Sequence, residues 1–278
     1  MRDGDRLMIC DAQVHSPDLP SSVHVPGIAP DELLRQMQVA GVDRAIIVPL
    51  AAAGEDVAAN NAPALEIAAQ YPDRFAVMGR FELTRPRAAG FLAGWRSTLG
   101  MLGIRLSFVR PPNHTLLVDD ALDWFFAEAQ QHRIPLMVLV PNEMLDKVGE
   151  LARKYPDLRF TVDHLGLTPY VMYAGDELAT AVHNLLRLAQ HANVAVKATA
   201  LPASVPEKFP YPSLHDPLWS VIDAFGSRRV FWGSDLTRLT TPYSDCVRLF
   251  TDELPFLSGE DKEWVMGRGV MEWVDWTP

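Results

Sequence analysis

The chain has 278 residues, 48% of them hydrophobic, and a formal net charge of −10. That is enough apolar material for a large core, while the acidic balance and the lack of any Lys/Arg-rich block argue against nucleic acid as a partner. No apolar run approaches the roughly 18 residues that a membrane span needs.

Eight strand-like segments recur along the chain. They are Leu7 to Gln13, Ala45 to Pro49, Phe75 to Arg80, Leu102 to Ser107, Pro135 to Val140, Arg159 to His164, Val194 to Ala198 and Val230 to Asp235. Most are apolar on both faces, as parallel strands covered by helices should be. Between them lie helical patterns. Asp31 to Ala40 carries Leu33, Leu34 and Met37 and stops at Gly41, a C-cap residue. Asp119 to His132, Glu143 to Tyr155 and Leu178 to His191 repeat the pattern, and Ser258 to Asp261 resembles a capping box ahead of a closing helix. Alternating β and α units without a break in composition predict one (β/α)8 TIM-type barrel spanning residues 1–278; an open doubly wound sheet is the alternative.

Three long or proline-rich loops, Ser16 to Pro30, Arg110 to Val118 and Leu201 to Pro217, all follow strand C-terminal ends. In a barrel they crowd the mouth that carries active sites. The strand ends also carry polar groups that a structural strand does not need. Strand one ends Asp11-Ala12-Gln13-Val14-His15, and simple alternation would put Ile9, Asp11, Gln13 and His15 on one face. Arg80, Arg105, His164 and Asp235 stand at the ends of strands three, four, six and eight. Lys197, just short of the end of strand seven, reads either as half of a structural ion pair or as a site cation. Buried charges are costly unless paired or used, so their convergence points to a site.

Asp-Ala-x-x-His on strand one, Asp163-His164-Leu165-Gly166, Val196-Lys197 and Trp232-Gly233-Ser234-Asp235 together resemble the amidohydrolase superfamily, in its amidohydrolase-related branch. The resemblance implies a barrel hydrolase or decarboxylase. It also implies a metal set of His-x-His on strand one, His or modified Lys on strand five, His on strand six and Asp on strand eight. His15, His164 and Asp235 match that set. Gln13 replaces the first histidine, and strand five ends Leu139-Val140-Pro141-Asn142 without a ligand. An amide oxygen is a poor zinc ligand. The departure is closer to the metal-independent lactonases similar to 2-pyrone-4,6-dicarboxylate lactonase.

The expected chemistry is hydrolysis of a small anionic lactone without a required cofactor. Asp235 activates water, with a pKa raised by burial. His15 and His164 donate to the oxyanion. Arg80, Arg105 and Lys197 bind substrate charge, with Gln13 and Tyr170 as further contacts. A lactone tolerates the loss of a metal better than an amide because its leaving group is better. One alternative is a decarboxylase using a divalent metal such as zinc on His15, His164 and Asp235. Another is a barrel that only binds a ligand. His24 and His114 lie in mouth-side loops, and His215 either caps a helix or reaches the mouth. Trp264, Trp273 and Trp276 read as packing anchors. Two cysteines, Cys10 and Cys246, read as reduced thiols, and the charged start Met1 to Arg6 leads into no long apolar stretch of a secretory signal. The expected partner is a small-molecule substrate for a cytoplasmic protein, with a homo-oligomer left open.

Overall fold

Eight short apolar segments of one kind need eight helical covers, and a computed structural model of the chain, describing residues 6–17, 27–50, 61–84 and 90–277, arranges them so. The strands are β1 (Cys10–Val14), β2 (Arg44–Ile47), β3 (Phe75–Gly79), β4 (Met101–Ser107), β5 (Leu136–Leu139), β6 (Phe160–Val162), β7 (Val194–Thr199) and β8 (Val230–Gly233). They pair in parallel in sequence order, β1 through β8, which is the order of a barrel and not of a doubly wound sheet. The helices are α1 (Pro30–Ala40), α2 (Asn61–Gln70), α3 (Asn113–Val118), α4 (Asp123–Gln131), α5 (Leu145–Lys154), α6 (Asp176–Leu186), α7 (His215–Phe225), α8 (Tyr243–Thr251), α9 (Gly259–Glu263) and α10 (Gly269–Trp273).

The local signals act as expected at two helix ends. Gly41 closes α1 in the left-handed region at φ 75°, and Ser258 caps α9 reciprocally with Asp261. A π-helical turn, Trp264–Arg268, joins α9 to α10. The stretch 110–118, expected to be loop, holds the short helix α3.

Two apolar layers form. The larger lies between strands and helices; the smaller takes Cys10, Ala12, Ile46, Ala76, Met137, Ala195 and Phe231 from inside the strand ring and continues into Val270, Val274 and Trp276. Trp264 and Trp276 are buried anchors as expected, and Trp273 packs against the inner cluster.

Strand one departs from simple alternation. It begins at Cys10 and not Leu7, and its register against β2 shifts between Asp11 and Val14. Ile9 and Val14 sit in the outer layer, while Cys10 and Ala12 face inward. The extra residue re-aims the strand end, as a bulge does, so Gln13 and His15 both reach the mouth while Asp11 turns to the β8 side.

That turn closes the ring. Asp235 N–H donates to the Gln13 carbonyl at 3.0 Å. The Asp11 carboxylate accepts from Ser234 N–H at 2.9 Å, Gln13 N–H at 3.0 Å, Tyr243 O–H at 2.6 Å and the Ser234 hydroxyl. Gly233 is required there. A Cβ on it would stand 2.6 Å from Thr199 Cγ2 and 2.9 Å from Asp11 Oδ1.

Candidate active site

The strand C-terminal ends open into a cavity of about 370 Å³. Gln13, His15, Arg80, Arg105, His164, Tyr170 and Asp235 line it, so seven of the eight sequence-predicted residues meet in one place. Lys197 is the exception. It is wholly buried, with Nζ 2.8 Å from Asp163 Oδ1 and bonded to Gln13 Oε1. The expectation that it touches substrate is corrected: an ammonium beside a buried carboxylate pairs with it rather than facing solvent. Asp163 also accepts from Arg105 Nε at 3.1 Å, and these cations hold its carboxyl below the usual range against the opposing effect of burial.

Two site residues stand on turns forced by the strand ends. His164 (φ 53°) and Asp235 (φ 51°) both adopt left-handed backbone, a region costly for residues with a Cβ. These turns aim both side chains at the cavity. His164 Nδ1 lies 2.7 Å from Thr199 Oγ1 and 3.3 Å from the Thr199 carbonyl oxygen. A carbonyl only accepts, so Nδ1 carries the proton and Nε2 keeps its lone pair. Burial pushes the imidazole down to about 3, so the ring is neutral near pH 7. Arg238 Nη1 lies 3.3 Å from that Nε2, with the guanidinium donating. The expectation that His164 donates to an oxyanion is corrected, because its free nitrogen is an acceptor.

His15 Nδ1 faces the Val48 carbonyl at 2.7 Å, which leaves Nε2 toward Asp235 Oδ1 at 2.9 Å. On the other side, Arg238 Nη1 is 3.3 Å from Asp235 Oδ2 and His164 Nε2 is 3.7 Å away. Burial works to raise the Asp235 carboxyl, as the sequence suggested. The contact to His15 and the Arg238 guanidinium outweigh it and hold the pKa well below the carboxylate range. Asp235 is therefore ionised, a correction to the expected upward shift. Its Oδ1 is buried against His15 Nε2.

The cavity wall is cationic. Arg80, Arg105, Arg110 and Arg238 line it, against the single carboxylate of Asp235. No carboxylate among the described residues lies within ion-pair distance of the Arg80 guanidinium, and burial and then the nearby Arg105 push it down to about 9 against the weaker pull of Asp163. Tyr170 stands at the rim, 64% exposed, with the Arg238 guanidinium 4.8 Å from its ring centre.

A divalent metal does not suit these donors. Arg238 already engages His164 Nε2 and Asp235 Oδ2, two of the three atoms that would bind it, and places a fixed charge between them. Gln13 Oε1 is taken by Lys197. Among the described residues no group of three or more His, Cys, Asp or Glu is arranged to hold an ion.

The amidohydrolase family model matches residues 10–268. The chain belongs to the amidohydrolase family. It is thus a hydrolase, and the non-enzymatic alternative falls away. This amidohydrolase is 26% identical over 221 residues to L-fucono-1,5-lactonase of Burkholderia ambifaria, a match covering 78% of this chain and 73% of that protein. An amidohydrolase of Burkholderia multivorans, solved with bound zinc, superimposes with a TM-score of 0.80 at 22% identity, covering 96% and 99% of the two chains. A Pseudomonas putida protein described as a candidate 2-pyrone-4,6-dicarboxylic acid hydrolase gives 0.77 at 17% identity, covering 97% and 98%. The two structural likenesses establish the barrel fold.

Arg238 escaped the sequence reading, although it lies only three residues beyond Asp235, one turn into the loop. Asp163 was seen as part of a motif but not as the charge that pairs with both Lys197 and Arg105. Neither His114 nor His215 is among the cavity residues, and His215 Nε2 lies 2.9 Å from the Pro210 carbonyl at the start of α7. His24 lies outside the described residues. No helix among the described residues is long and apolar enough to cross a membrane.

Proposed function

We propose that this amidohydrolase opens a small lactone bearing at least one carboxylate, without a resident metal. The observation that carries the proposal is Asp235: an ionised, buried carboxylate held between His15 and Arg238 in a cavity lined by four arginines. Water bound in the cavity beside Asp235 loses a proton to the carboxylate as its oxygen attacks the lactone carbonyl carbon. The ring C–O bond then breaks, and the proton returns from Asp235 to the ring oxygen, giving a hydroxy acid. His15 and Arg238 hold the carboxylate in place from its two sides.

The cations set the substrate class. Arg80 and Arg105 present planar forks suited to a carboxylate. A neutral sugar lactone, such as the name of the B. ambifaria relative implies for that enzyme, would leave Arg80 without a counter-charge. A lactone carboxylate, closer to what the P. putida protein's description implies, would supply one. The cavity volume suits a small molecule. The free thiols Cys10 and Cys246 support a reducing, cytoplasmic setting. A panel of anionic and neutral five- and six-membered lactones, followed by acid release at constant pH, tests the proposal. Turnover of anionic lactones is expected; CO2 release from an aromatic acid with no lactone turnover would overturn it.

A further inference from the structure

We propose that Gln13 is a locked hydrogen-bond donor to the substrate carbonyl, and that Lys197 is the positioning residue that locks it. This rests on the lactonase reading above. An amide side chain can present either its oxygen or its N–H2 group to a cavity, and only its partners decide which. Here the partner is an ammonium, which has donors alone. Lys197 Nζ bonds to Gln13 Oε1, so the oxygen points down to the lysine and Nε2 points the other way. Gln13 is 1% exposed and lines the cavity, while Lys197 is wholly buried beneath it. Among the described residues the other polar neighbour of Nε2 is His15 Nε2 at 3.5 Å, the outer limit of a hydrogen bond. The amide therefore keeps donor capacity for a ligand.

Lys197 is held in turn. Asp163 Oδ1 lies 2.8 Å from Nζ, and Asp163 Oδ2 accepts from Arg105. The Asp163 charge makes a buried ammonium tolerable, and the ammonium fixes the amide. A neutral donor fixed before substrate arrives is the arrangement that stabilises a developing oxyanion without reorganisation. The position where the family pattern carries a histidine thus holds a group that can polarise a carbonyl from the opposite chemical direction, by donation instead of by metal ligation.

The test uses Gln13→Met, Lys197→Met and the double variant, with lactone kinetics and one measurement that needs no turnover. Gln13→Met is expected to lower kcat about 100-fold with KM changed less than about threefold, the pattern of a donor used in the transition state. Lys197→Met is expected to lower kcat roughly tenfold or more in the native background and less than about twofold in the Gln13→Met background, because it acts through the amide. Gln13→Met retaining kcat within about twofold, or independent multiplying effects, would overturn the proposal. If Lys197→Met fails to fold, Gln13→Met and the spectroscopic measurement still decide. In glutamine side-chain 15N-labelled protein, 6-oxopipecolic acid, a lactam with one carboxylate, should shift the Gln13 NH2 resonances. Their indifference to bound lactam overturns the proposal. Wild-type protein that hydrolyses no lactone overturns the functional reading instead, and the lactam response still decides the role of Gln13.

Discussion

Arg238 turns back on the carboxylate one turn before it, with Nη1 3.3 Å from Asp235 Oδ2. A guanidinium therefore stands among the strand-end donors, where a family pattern of metal ligands would place an ion. It holds Asp235 ionised together with His15, and it donates to the free nitrogen of His164. A metal ion and this arginine would compete for the same atoms.

Asp235→Asn keeps the shape of the side chain and removes the proton acceptor. Loss of a general base of this kind lowers kcat on the order of 10³-fold. Steady-state kinetics beside an unchanged circular dichroism spectrum would show it. Activity within about tenfold of wild type would remove Asp235 from the reaction.

The pH profile follows from the charges. Asp235 is held below its ordinary value, so it remains the charged form across neutral and mildly acid pH. The stability its pairing contributes is present above the unfolded carboxylate value, about 3.9, and is lost as pH falls through the lower folded value. Consequently kcat/KM should show no acid limb from Asp235 between pH 5 and 8, a window estimated as about one unit or more above that unfolded value. An anionic substrate placed on the arginines offsets the cations that hold Asp235 down, so the acid limb of kcat should lie at higher pH than that of kcat/KM. Coincident limbs in the two profiles would count against a negatively charged substrate.

Removing the arginine should expose a latent metal site. Wild-type activity is expected to survive chelation, with zinc well below one equivalent by elemental analysis. Arg238→Met frees His15, His164 and Asp235 together, three ligands of the types zinc accepts, and should raise zinc uptake. The same variant should move the acid limb of kcat/KM upward, since a cation has left Asp235. Stoichiometric zinc in the wild-type protein, with activity lost on its removal, would refute the metal-free reading.

Arg80 makes no ion pair among the described residues, and Asp163 near it is already engaged by Lys197 and Arg105, so a bound anion is its natural counter-charge. Arg80→Met should raise KM for anionic lactones by roughly 10- to 100-fold, the size of one charged hydrogen bond. Neutral lactones should be nearly unaffected, and the contrast between the two substrate classes is the readout. Equal losses on both would point to a structural role.

The ring closure should be sensitive at Gly233. A Cβ there meets Thr199 Cγ2 at 2.6 Å and the Asp11 carboxylate at 2.9 Å, both beside the β8–β1 junction. Gly233→Ala should cost about 1–3 kcal/mol by crowding. It should also lower kcat, because Asp235 N–H bonds to Gln13 across that junction. Thermal melting and kinetics check both effects, and an unchanged melting temperature would show that the junction relaxes freely.

The barrel was legible in the chain because its signals are local. Alternating strands and helices, Gly41 after α1 and the Ser258–Asp261 cap are each contained in a few consecutive residues. The strand-end residues Gln13, His15, Arg80, Arg105, His164 and Asp235 were legible for the same reason, since a strand's last residues point to a known face of a barrel. What the sequence could not carry was the partner of each charge. Lys197 meets Asp163 and Gln13 across 34 and 184 residues. The bulge in β1 that sends Asp11 to β8 and Gln13 to the mouth depends on register against β2. Whether burial raises Asp235 or its neighbours lower it depends on distances of 2.9 and 3.3 Å to His15 and Arg238. Sequence determined which groups arrive at the mouth; tertiary structure decided their charge, their direction and what they can hold, because electrostatic interactions act through space between residues that the chain order does not pair.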